Sequence, residues 1–320
     1  MAPSYFPEKE RKPEKQRIEE NIAWAKKYGE ANKFYTLYGL DLVGSNPEDY
    51  MDYYNFMISR NVVNHMGQID SQLILLRDKY LFYKYMKAAQ LPVPEVFAVL
   101  RNGKLYTNNF EDIKIETLRE KKDYFIKSID GECASYVKHI NNYDMLKIIL
   151  PEIQKGSFIF QERIIQSPAM NALNPHAVNT YRIVTINKDG NPYVLATELR
   201  VGTSKTKYVD NLAAGGLAIG ITASGFLKRY GFYKPIFGAK TDRHPDTDIK
   251  FENVKAPEYD EAVKLALRAH KSFYGIRTIG WDLAISDKGP VFIEGNDNWE
   301  ISGVQSCDRP LRRDWEEVIK

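Results

Sequence analysis

The chain has 320 residues, of which 43% are hydrophobic and 27% are charged, and its formal net charge is +3. Such a length is enough for two or three domains with buried cores, and so balanced a charge argues against a nucleic-acid partner. The two cysteines, Cys133 and Cys307, form no metal-binding motif and no apolar run approaches a membrane span, so we expect a cytoplasmic protein without disulfides or structural zinc.

Residues 1–76 are predicted to be mostly helical. In the charged stretch 8–33, apolar residues recur at helical spacing, namely Ile18, Ile22, Ala25 and Tyr28. Further along, Ser45 or Asn46 can cap a helical turn that starts at Pro47. We therefore expect a helical N-terminal region ahead of the first strand.

Residues 77–165 are predicted to form a small α/β domain. Asp78 can cap a helix that runs to about Gln90, and Asn102-Gly103 suits the turn of a hairpin. In chain order we expect strands at 96–100 and 104–107, a helix at 111–121, a strand at 124–127, a loop at 128–135, a helix at 143–154 and a strand at 157–164.

Residues 166–320 are predicted to form a larger domain built from β-hairpins. We expect strands at 180–186, 193–201, 216–221 and 226–230, then a helix from about Pro257 to Phe273, and finally a hairpin over 279–296. The sequence as a whole thus predicts an α+β protein with a small α/β domain, a larger antiparallel-sheet domain and a helical N-terminal region.

The last hairpin carries acidic residues in an otherwise apolar pair of strands. If Asp287-Lys288-Gly289 is a three-residue turn, Asp282 lies directly opposite Glu294, and Asn296 shares their face. Two like charges at that distance repel, whereas Mg²⁺ would accept all three oxygen donors. The alternative is an ordinary hairpin with solvated acids. If metal binding is their purpose, Asp282→Asn or Glu294→Gln should stop turnover and leave stability unchanged or slightly raised.

Basic residues on other strands suit phosphate or carboxylate groups. Lys127 ends a strand before a glycine-containing loop, where it could contact phosphates, although a lysine at a strand end is more often solvated. Lys79 is a weaker candidate of the same kind. Arg182 and Arg200 fall on one face of their hairpin together with Glu198, so they could bind an oxyanion or simply form an exposed Arg–Glu pair.

Taken together, these features resemble the ATP-grasp superfamily over roughly residues 77–300. The segments that carry the resemblance are Phe158-Ile-Phe-Gln-Glu-Arg-Ile-Ile165, Asn179-Thr-Tyr-Arg-Ile-Val-Thr185, Glu198-Leu-Arg-Val201 and Asn211-Leu-Ala-Ala-Gly-Gly216. Over the whole chain, Tyr35-x-x-Tyr-Gly-Leu-Asp41, Gly280-Trp-Asp282 and Ile293-Glu-Gly-Asn296 are most similar to the sugar-transfer-associated ATP-grasp family.

The resemblance implies an ATP-grasp fold that binds ATP between its two domains. Lys79 and Lys127 would contact the phosphates, and a lid loop containing Ser128 and Gly131 would cover them. Adenine would lie against the strand that holds Gln161, Glu162 and Ile164. One or two Mg²⁺ ions, which Mn²⁺ can replace, would bind Asp282, Glu294 and Asn296. Catalytic roles would fall to Arg182, Arg200 and Asn211.

The same resemblance implies a carboxylate–amine ligase that acts through an acylphosphate, with a small-molecule acid and a small-molecule amine as substrates. An amino acid or amine joined to a sugar acid is one such pair. A kinase that phosphorylates a hydroxyl would use the same metal residues and also a base, for which Glu198 or Asp210 is available. A nucleotide-binding module without catalysis is the third alternative.

Overall fold

The computed structural model describes residues 3–65, 70–130, 136–206 and 208–320. Its N-terminal part contains α1 (Glu14–Tyr28) and α2 (Tyr53–His65), separated by turns and a short 3-10 helix at Pro47–Asp49. Asn46 caps that short helix by accepting the N–H of Glu48 at 3.1 Å, as the sequence predicted. The helical prediction therefore holds for these segments, while the chain between α1 and Pro47 consists mainly of turns.

A five-stranded antiparallel sheet follows, preceded by two helices. The elements are α3 (Ile74–Arg77), α4 (Lys79–Ala88), β1 (Val96–Arg101), β2 (Lys104–Thr107), β3 (Tyr124–Ser128), β4 (Val137–Ile140), α5 (Tyr143–Ile153) and β5 (Ser157–Glu162). The strand order is β2-β1-β5-β3-β4. Asp78 caps α4 by accepting the N–H groups of Tyr80 and Leu81, which confirms the predicted helix start.

Three local predictions in this part are wrong. The helix predicted over 111–121 is only a 3-10 helix at Ile115–Leu118, because its apolar residues do not recur on one helical face. The edge strand β4 was not predicted at all. The strand predicted to reach residue 164 ends at Glu162, so Ile164 lies just beyond it.

A seven-stranded antiparallel sheet forms the larger part of the molecule. Its strands are β6 (Thr180–Lys188), β7 (Asn191–Val201), β8 (Leu217–Ile221), β9 (Leu227–Phe232), β10 (Lys240–Thr241), β11 (Thr278–Ser286) and β12 (Gly289–Asn296). They are ordered β10-β9-β8-β7-β6-β11-β12. The helices are α6 (Pro168–Leu173), α7 (Tyr259–Ser272), α8 (Ser302–Cys307) and α9 (Arg312–Ile319), with a 3-10 helix at Leu212–Ala214.

The two faces of this sheet differ in polarity. Trp281, Leu283 and Ile285 point into an apolar core beneath α7 and are fully buried, as the alternation along β11 predicted. The opposite face carries Arg182 of β6, Glu198 and Arg200 of β7 and Asp282 of β11, together with apolar residues such as Val184 and Ile186. The charged residues at the centre of the sheet, on β6, β7 and β11, therefore lie on this face.

Part of this opposite face is covered by the N-terminal and C-terminal helices. Phe56 of α2 packs against Trp299 and Trp315, with ring centroids 4.8 Å apart in each case. Neither α8 nor α9 was predicted from the sequence, although Leu311, Trp315 and Val318 have helical spacing. None of the described helices is both long and apolar enough to cross a membrane.

Candidate active site

A row of charged side chains crosses four neighbouring strands of the large sheet. Glu294 of β12 pairs with Asp282 of β11, Asp282 pairs with Arg182 of β6, and Arg182 pairs with Glu198 of β7. Side chains directly opposite on adjacent antiparallel strands have Cβ atoms about 5 Å apart. The sheet thus brings three carboxylates and one guanidinium into a single line.

The register of Asp282 and Glu294 is as predicted, but it arises in a different way. Ser286 pairs with Gly289 rather than Pro290, so the turn has two residues instead of three. A β-bulge at Ile293 then adds one residue to β12 and restores the pairing of Asp282 with Glu294. Gly289 adopts a φ of +108°, which favours glycine at this position.

Arg182 binds the carboxylate of Asp282 through two parallel hydrogen bonds. Its Nε donates to Oδ1 at 2.6 Å and its second terminal nitrogen donates to Oδ2 at 2.8 Å. The two side chains are only 7% and 11% exposed. Burial raises the pKa of Asp282, but Arg182 and Arg200 oppose it and the net pKa is lowered. Asp282 is therefore held as an anion.

The pKa of Glu294 is shifted in the opposite direction to that of Asp282. Burial, followed by the charge of Asp282, raises its pKa, and the two carboxyl groups share a hydrogen bond. The amide nitrogen of Asn296 lies 3.3 Å from Oε1 of Glu294 and 3.4 Å from Oδ2 of Asp282. A proton on Glu294 relieves the repulsion between the acids, and a divalent cation bound to both would do the same.

The donor set fits a hard cation. Asp282 and Glu294 supply anionic oxygens, and a rotated Asn296 side chain would supply a neutral one, as Mg²⁺ sites with additional water and phosphate ligands require. Within the described ranges, no group of three or more His, Cys, Asp or Glu side chains could hold a metal ion. Three protein donors fill half of an octahedron, and water and substrate oxygens would complete it around Mg²⁺.

Arg200 lies among acidic side chains. Its Nε donates to Glu198 at 2.7 Å, and a terminal nitrogen lies 3.9 Å from Asp282. Burial lowers the pKa of Arg200, but Glu198, Asp282 and Asp210 together raise it above the ordinary value. Glu198 is 1% exposed, so the Arg–Glu pair is buried and does not lie on a solvated surface.

Close packing fixes Glu198 from the other side. A Cβ atom built on Gly303 of α8 would lie 2.3 Å from Oε2 of Glu198, so a larger residue there would displace the Glu198 carboxylate. The thiol of Cys307 lies 4.0 Å from the same oxygen. Glu198 is thus enclosed, and its carboxylate holds Arg200 in place through their hydrogen bond.

Asp210 and Asn211 follow the loop after β7. Asp210 accepts a hydrogen bond from the hydroxyl of Thr180, and Thr180 pairs with Arg200 across the β6–β7 ladder. Burial, with a contribution from Asp282, raises the pKa of Asp210 to about 7. Asn211 caps the 3-10 helix by accepting the N–H of Ala213 at 2.9 Å, so its visible role is structural.

Two lysines from the small-sheet side approach the charged row. The Nζ of Lys127 donates to Oε1 of Gln161 at 2.8 Å. Burial lowers the pKa of Lys127 to about 8, while the charge of Glu294 opposes that shift. Lys79 is close enough to influence both Lys127 and Glu294, and its backbone N–H donates to Ile129 at 2.9 Å. In the cleft between the sheets, the two lysines therefore face a row in which Glu294 and Asp282 alternate with arginine.

Of the other residues expected around a nucleotide, the structure describes all but Gly131. Ser128 donates to Asp130 at 2.9 Å, and Gly131 lies outside the described residues. The exposed Glu162 accepts the backbone N–H of Glu95 at 3.1 Å. Ile164 is half-buried beyond the end of β5, so Gln161 is the member of this group that lies beside Lys127.

Glu300 is a site residue that the sequence analysis missed. It lies 3.2 Å from the ammonium group of Lys234 and accepts the hydroxyl of Ser302 at 2.6 Å. Burial raises its pKa, but Lys234, Ser302 and Arg200 outweigh burial and the net pKa is lowered. Its signal in the sequence is its position four residues after Asn296, in the loop that leaves the predicted metal strand.

That loop is held by the N-terminal region. The amide of Asn64 donates to the backbone of Asp297 at 2.9 Å and accepts the N–H of Thr278 at 2.9 Å. Arg77 lies 2.5 Å from the carboxylate of Asp297, and Arg60 donates to the carbonyl of Trp299. The N-terminal region thus fixes the backbone between the acidic hairpin and Glu300.

The sequence matches the model of a known protein family. The family model described as sugar-transfer associated ATP-grasp matches residues 65–314. The chain belongs to this family. The match includes both sheets and every residue of the charged row. This ATP-grasp protein combines helices with two antiparallel sheets and has a helical N-terminal region. No curated protein matches it.

Solved structures with a similar fold share little sequence with this ATP-grasp protein. N5-carboxyaminoimidazole synthase from Aspergillus clavatus has a TM-score of 0.45 at 9% identity, covering 71% of this chain and 46% of that one. L-amino acid ligase from Bacillus licheniformis has a TM-score of 0.44 at 12% identity, covering 73% of this chain and 43% of that one. D-alanine–D-alanine ligase from Bacillus anthracis has a TM-score of 0.39 at 15% identity, covering 70% of this chain and 57% of that one. The chain spans about half the length of these proteins, and the likeness concerns the fold alone.

Proposed function

We propose that this protein is an ATP- and Mg²⁺-dependent ligase that joins a small-molecule carboxylate to a small-molecule amine. The observation that carries the proposal is the cleft in which Lys127 and Lys79 face the row of Glu294, Asp282 and Arg182. Phosphoryl transfer needs positioning and neutralisation of charge more than it needs a protein nucleophile. This cleft supplies cations on both walls and a carboxylate pair suited to a divalent cation.

ATP would lie between the two sheets, with residues 77–165 as the smaller domain and residues 166–320 as the larger one. Lys127 and Lys79 would bind its phosphates. The buried Gln161 would lie on the nucleotide side of β5, with Glu162 and Ile164 beside adenine. Ser128 and Gly131 would belong to the loop that covers the phosphates.

Asp282, Glu294 and Asn296 would hold Mg²⁺ on the opposite wall. When bound, the ion would neutralise charge on the transferring phosphate. Arg182 keeps Asp282 anionic and correctly turned, so that a lone pair on each carboxylate oxygen is still available. Glu294 would lose its proton when a cation binds, since the cation then relieves the repulsion that raises its pKa.

The acceptor side of the cleft would contain Arg200 and Asn211. In the reaction that the family resemblance suggests, the acid is activated as an acylphosphate and the amine then displaces phosphate. Arg182 would stabilise the transferring phosphate, and Arg200 would hold the carboxylate or the oxyanion that forms when the amine attacks. Asn211 would keep the backbone of this loop in place next to them.

Incubation with ATP, Mg²⁺ and a panel of acids and amines tests the proposal. A ligase releases phosphate only when both an acid and an amine are present, and mass spectrometry then detects the coupled product. Glu294→Gln should lose this activity, whereas Glu261→Gln, on an exposed side chain of α7, should retain most of it. Phosphate release that is independent of any acid would contradict the ligase, and nucleotide binding without turnover would indicate a binding module.

One observation favours a kinase as the second candidate. The pKa of Asp210, raised to about 7 by burial, suits a general base at neutral pH. Such a base could take the proton from an acceptor hydroxyl. A phosphorylated acceptor with no coupled amine would establish the kinase and exclude the ligase.

A further inference from the structure

Tyr208 connects the large sheet to the small sheet at a point outside the charged row. It lies in the loop after β7, and its ring contacts His139 of β4 at a centroid distance of 5.5 Å and Phe125 of β3 at 6.5 Å. The interplanar angles are 63° and 71°, so the tyrosine meets both rings edge to face. Tyr208 is 55% exposed, so these two ring contacts, rather than burial in a core, hold its side chain.

The surface that Tyr208 meets is fixed in place. His139 and Phe125 stack with centroids 4.9 Å apart and an interplanar angle of 23°. Nε2 of His139 lies 2.6 Å from Asp123, and Arg163 binds the same carboxylate at 3.0 Å. Because side chains alternate along β3, Phe125 shares the face of Lys127. The contact therefore lies on the nucleotide-facing side of the small sheet.

The loop that carries Tyr208 is anchored at its base. The hydroxyl of Thr203 donates to Gly215 at 3.1 Å, the N–H of Ser204 donates to Asp246 at 2.8 Å, and His244 lies 2.8 Å from the carbonyl of Gly202. Beyond these anchors, Tyr208 precedes Asp210 by two residues. Only Val209 separates the two residues, so Tyr208 and Asp210 share one short stretch of backbone.

We propose that Tyr208 is a positioning residue that docks this loop on the His139–Phe125 pair and thereby places Asp210 and Asn211 in the cleft. Its catalytic consequence rests on the proposed function, whereas the docking itself does not. Docking of this kind ties the acceptor-side groups to the sheet that carries Lys127. The acceptor side would be fully formed only while Tyr208 contacts His139 and Phe125 of the small sheet.

Hydrogen–deuterium exchange tests the docking without reference to activity. Tyr208→Ala should increase exchange in residues 203–216 about three- to tenfold, since edge-to-face pairs contribute on that scale. Tyr208→Phe should behave as the wild type because it keeps the ring. Tyr274→Ala, at another exposed tyrosine, is the matched control and should leave the loop unchanged. Exchange within twofold of the wild type in Tyr208→Ala would overturn the proposal.

Steady-state kinetics tests the consequence in the same variants. Tyr208→Ala should lower kcat about three- to tenfold and leave KM for ATP nearly unchanged, and Tyr208→Phe should restore kcat. Equal defects in both variants would overturn the positioning role, since the hydroxyl and not ring contact would then matter. If the wild type shows no ATP-dependent turnover, the proposed function fails, while the exchange result still decides whether Tyr208 docks the loop.

Discussion

Arg182 and Asp282 lie one hundred residues apart in the sequence and form the doubly hydrogen-bonded ion pair at the centre of the charged face. Asp282 is thus neutralised on one side by Arg182 and repelled on the other by Glu294. The two acids of the hairpin therefore have different energetic roles. Asp282 stabilises the fold through its partner, whereas Glu294 is tolerated because it can hold a proton.

This difference predicts unequal effects on stability. Asp282→Asn should lower the free energy of unfolding by about 3 kcal/mol, because it leaves Arg182 buried without its anion. Glu294→Gln should change it by less than about 1 kcal/mol, since it removes a repulsion. Urea denaturation at pH 7 measures both. This revises the expectation from the sequence that neither change would destabilise the protein.

Both variants should nevertheless lose turnover, since each removes an anionic ligand of the proposed metal site. Mg²⁺ with ADP should also raise the Tm of the wild type more than that of Glu294→Gln. An equal rise in Tm in the two proteins would place the metal elsewhere. Equal stability of Asp282→Asn and Glu294→Gln would show that the ion pair contributes little.

Lys127 should make nucleotide affinity depend on pH. Burial lowers its pKa to about 8, so its positive charge is progressively lost as the pH rises through 8, and affinity for ATP should fall there. Lys127→Arg should abolish this fall because arginine stays charged. Lys127→Ala should weaken binding about tenfold or more, and Lys79→Ala should weaken it less. Calorimetry with a non-hydrolysable ATP analogue at pH 6.5 and 9.5 provides the measurement.

The two arginines should affect different kinetic constants. Arg182→Ala should lower kcat and kcat/KM together, as expected for a group that acts mainly in the transition state. Arg200→Ala should chiefly raise KM for the acid and leave KM for ATP little changed. Lysine at either position should restore only part of the activity, since it cannot bind two oxygens in a fork. An Arg200→Ala enzyme altered only toward ATP would contradict this division.

Sequence reasoning succeeded where the pattern is local. The alternation along β11 predicted both the buried Trp281 and the polar Asp282, and Asp78 marked the start of α4. The pairing of Arg182 with Asp282 could not be predicted, because it requires β6 to lie beside β11 after a long intervening segment. The two-residue turn and the bulge at Ile293 were also missed, since their effects on register cancel.

His270 should make stability depend on pH. Its Nδ1 accepts the hydroxyl of Thr185, which accepts the indole N–H of Trp281, while Nε2 donates to Ile276. This chain needs a neutral imidazole, and burial lowers the pKa of His270 from 6.5 to about 4. Below pH 6.5 the unfolded state therefore binds a proton that the folded state excludes.

The free energy of unfolding should consequently fall as the pH drops from 6.5 to about 4 and then level off, by up to about 3 kcal/mol from this group. Urea denaturation at pH 7 and 4.5 measures the loss. In His270→Gln the difference between the two pH values should shrink by that amount. The wild type measured in parallel is the control and should show the full pH dependence; the same pH dependence in His270→Gln and the wild type would contradict this role of His270.

Asp210 should separate the ligase from the kinase. With its pKa raised to about 7 by burial and by Asp282, turnover that uses it as a base should rise with pH through 7, and Asp210→Asn should lose that rise. In a ligase, the base takes a proton from the attacking amine and takes no part in the phosphorylation of the acid. Asp210→Asn should then still form a hydroxamate from the acid, ATP and hydroxylamine, because hydroxylamine is largely unprotonated at neutral pH. In a kinase, the same variant should lose phosphoryl transfer itself, and hydroxylamine should trap nothing even in the wild type.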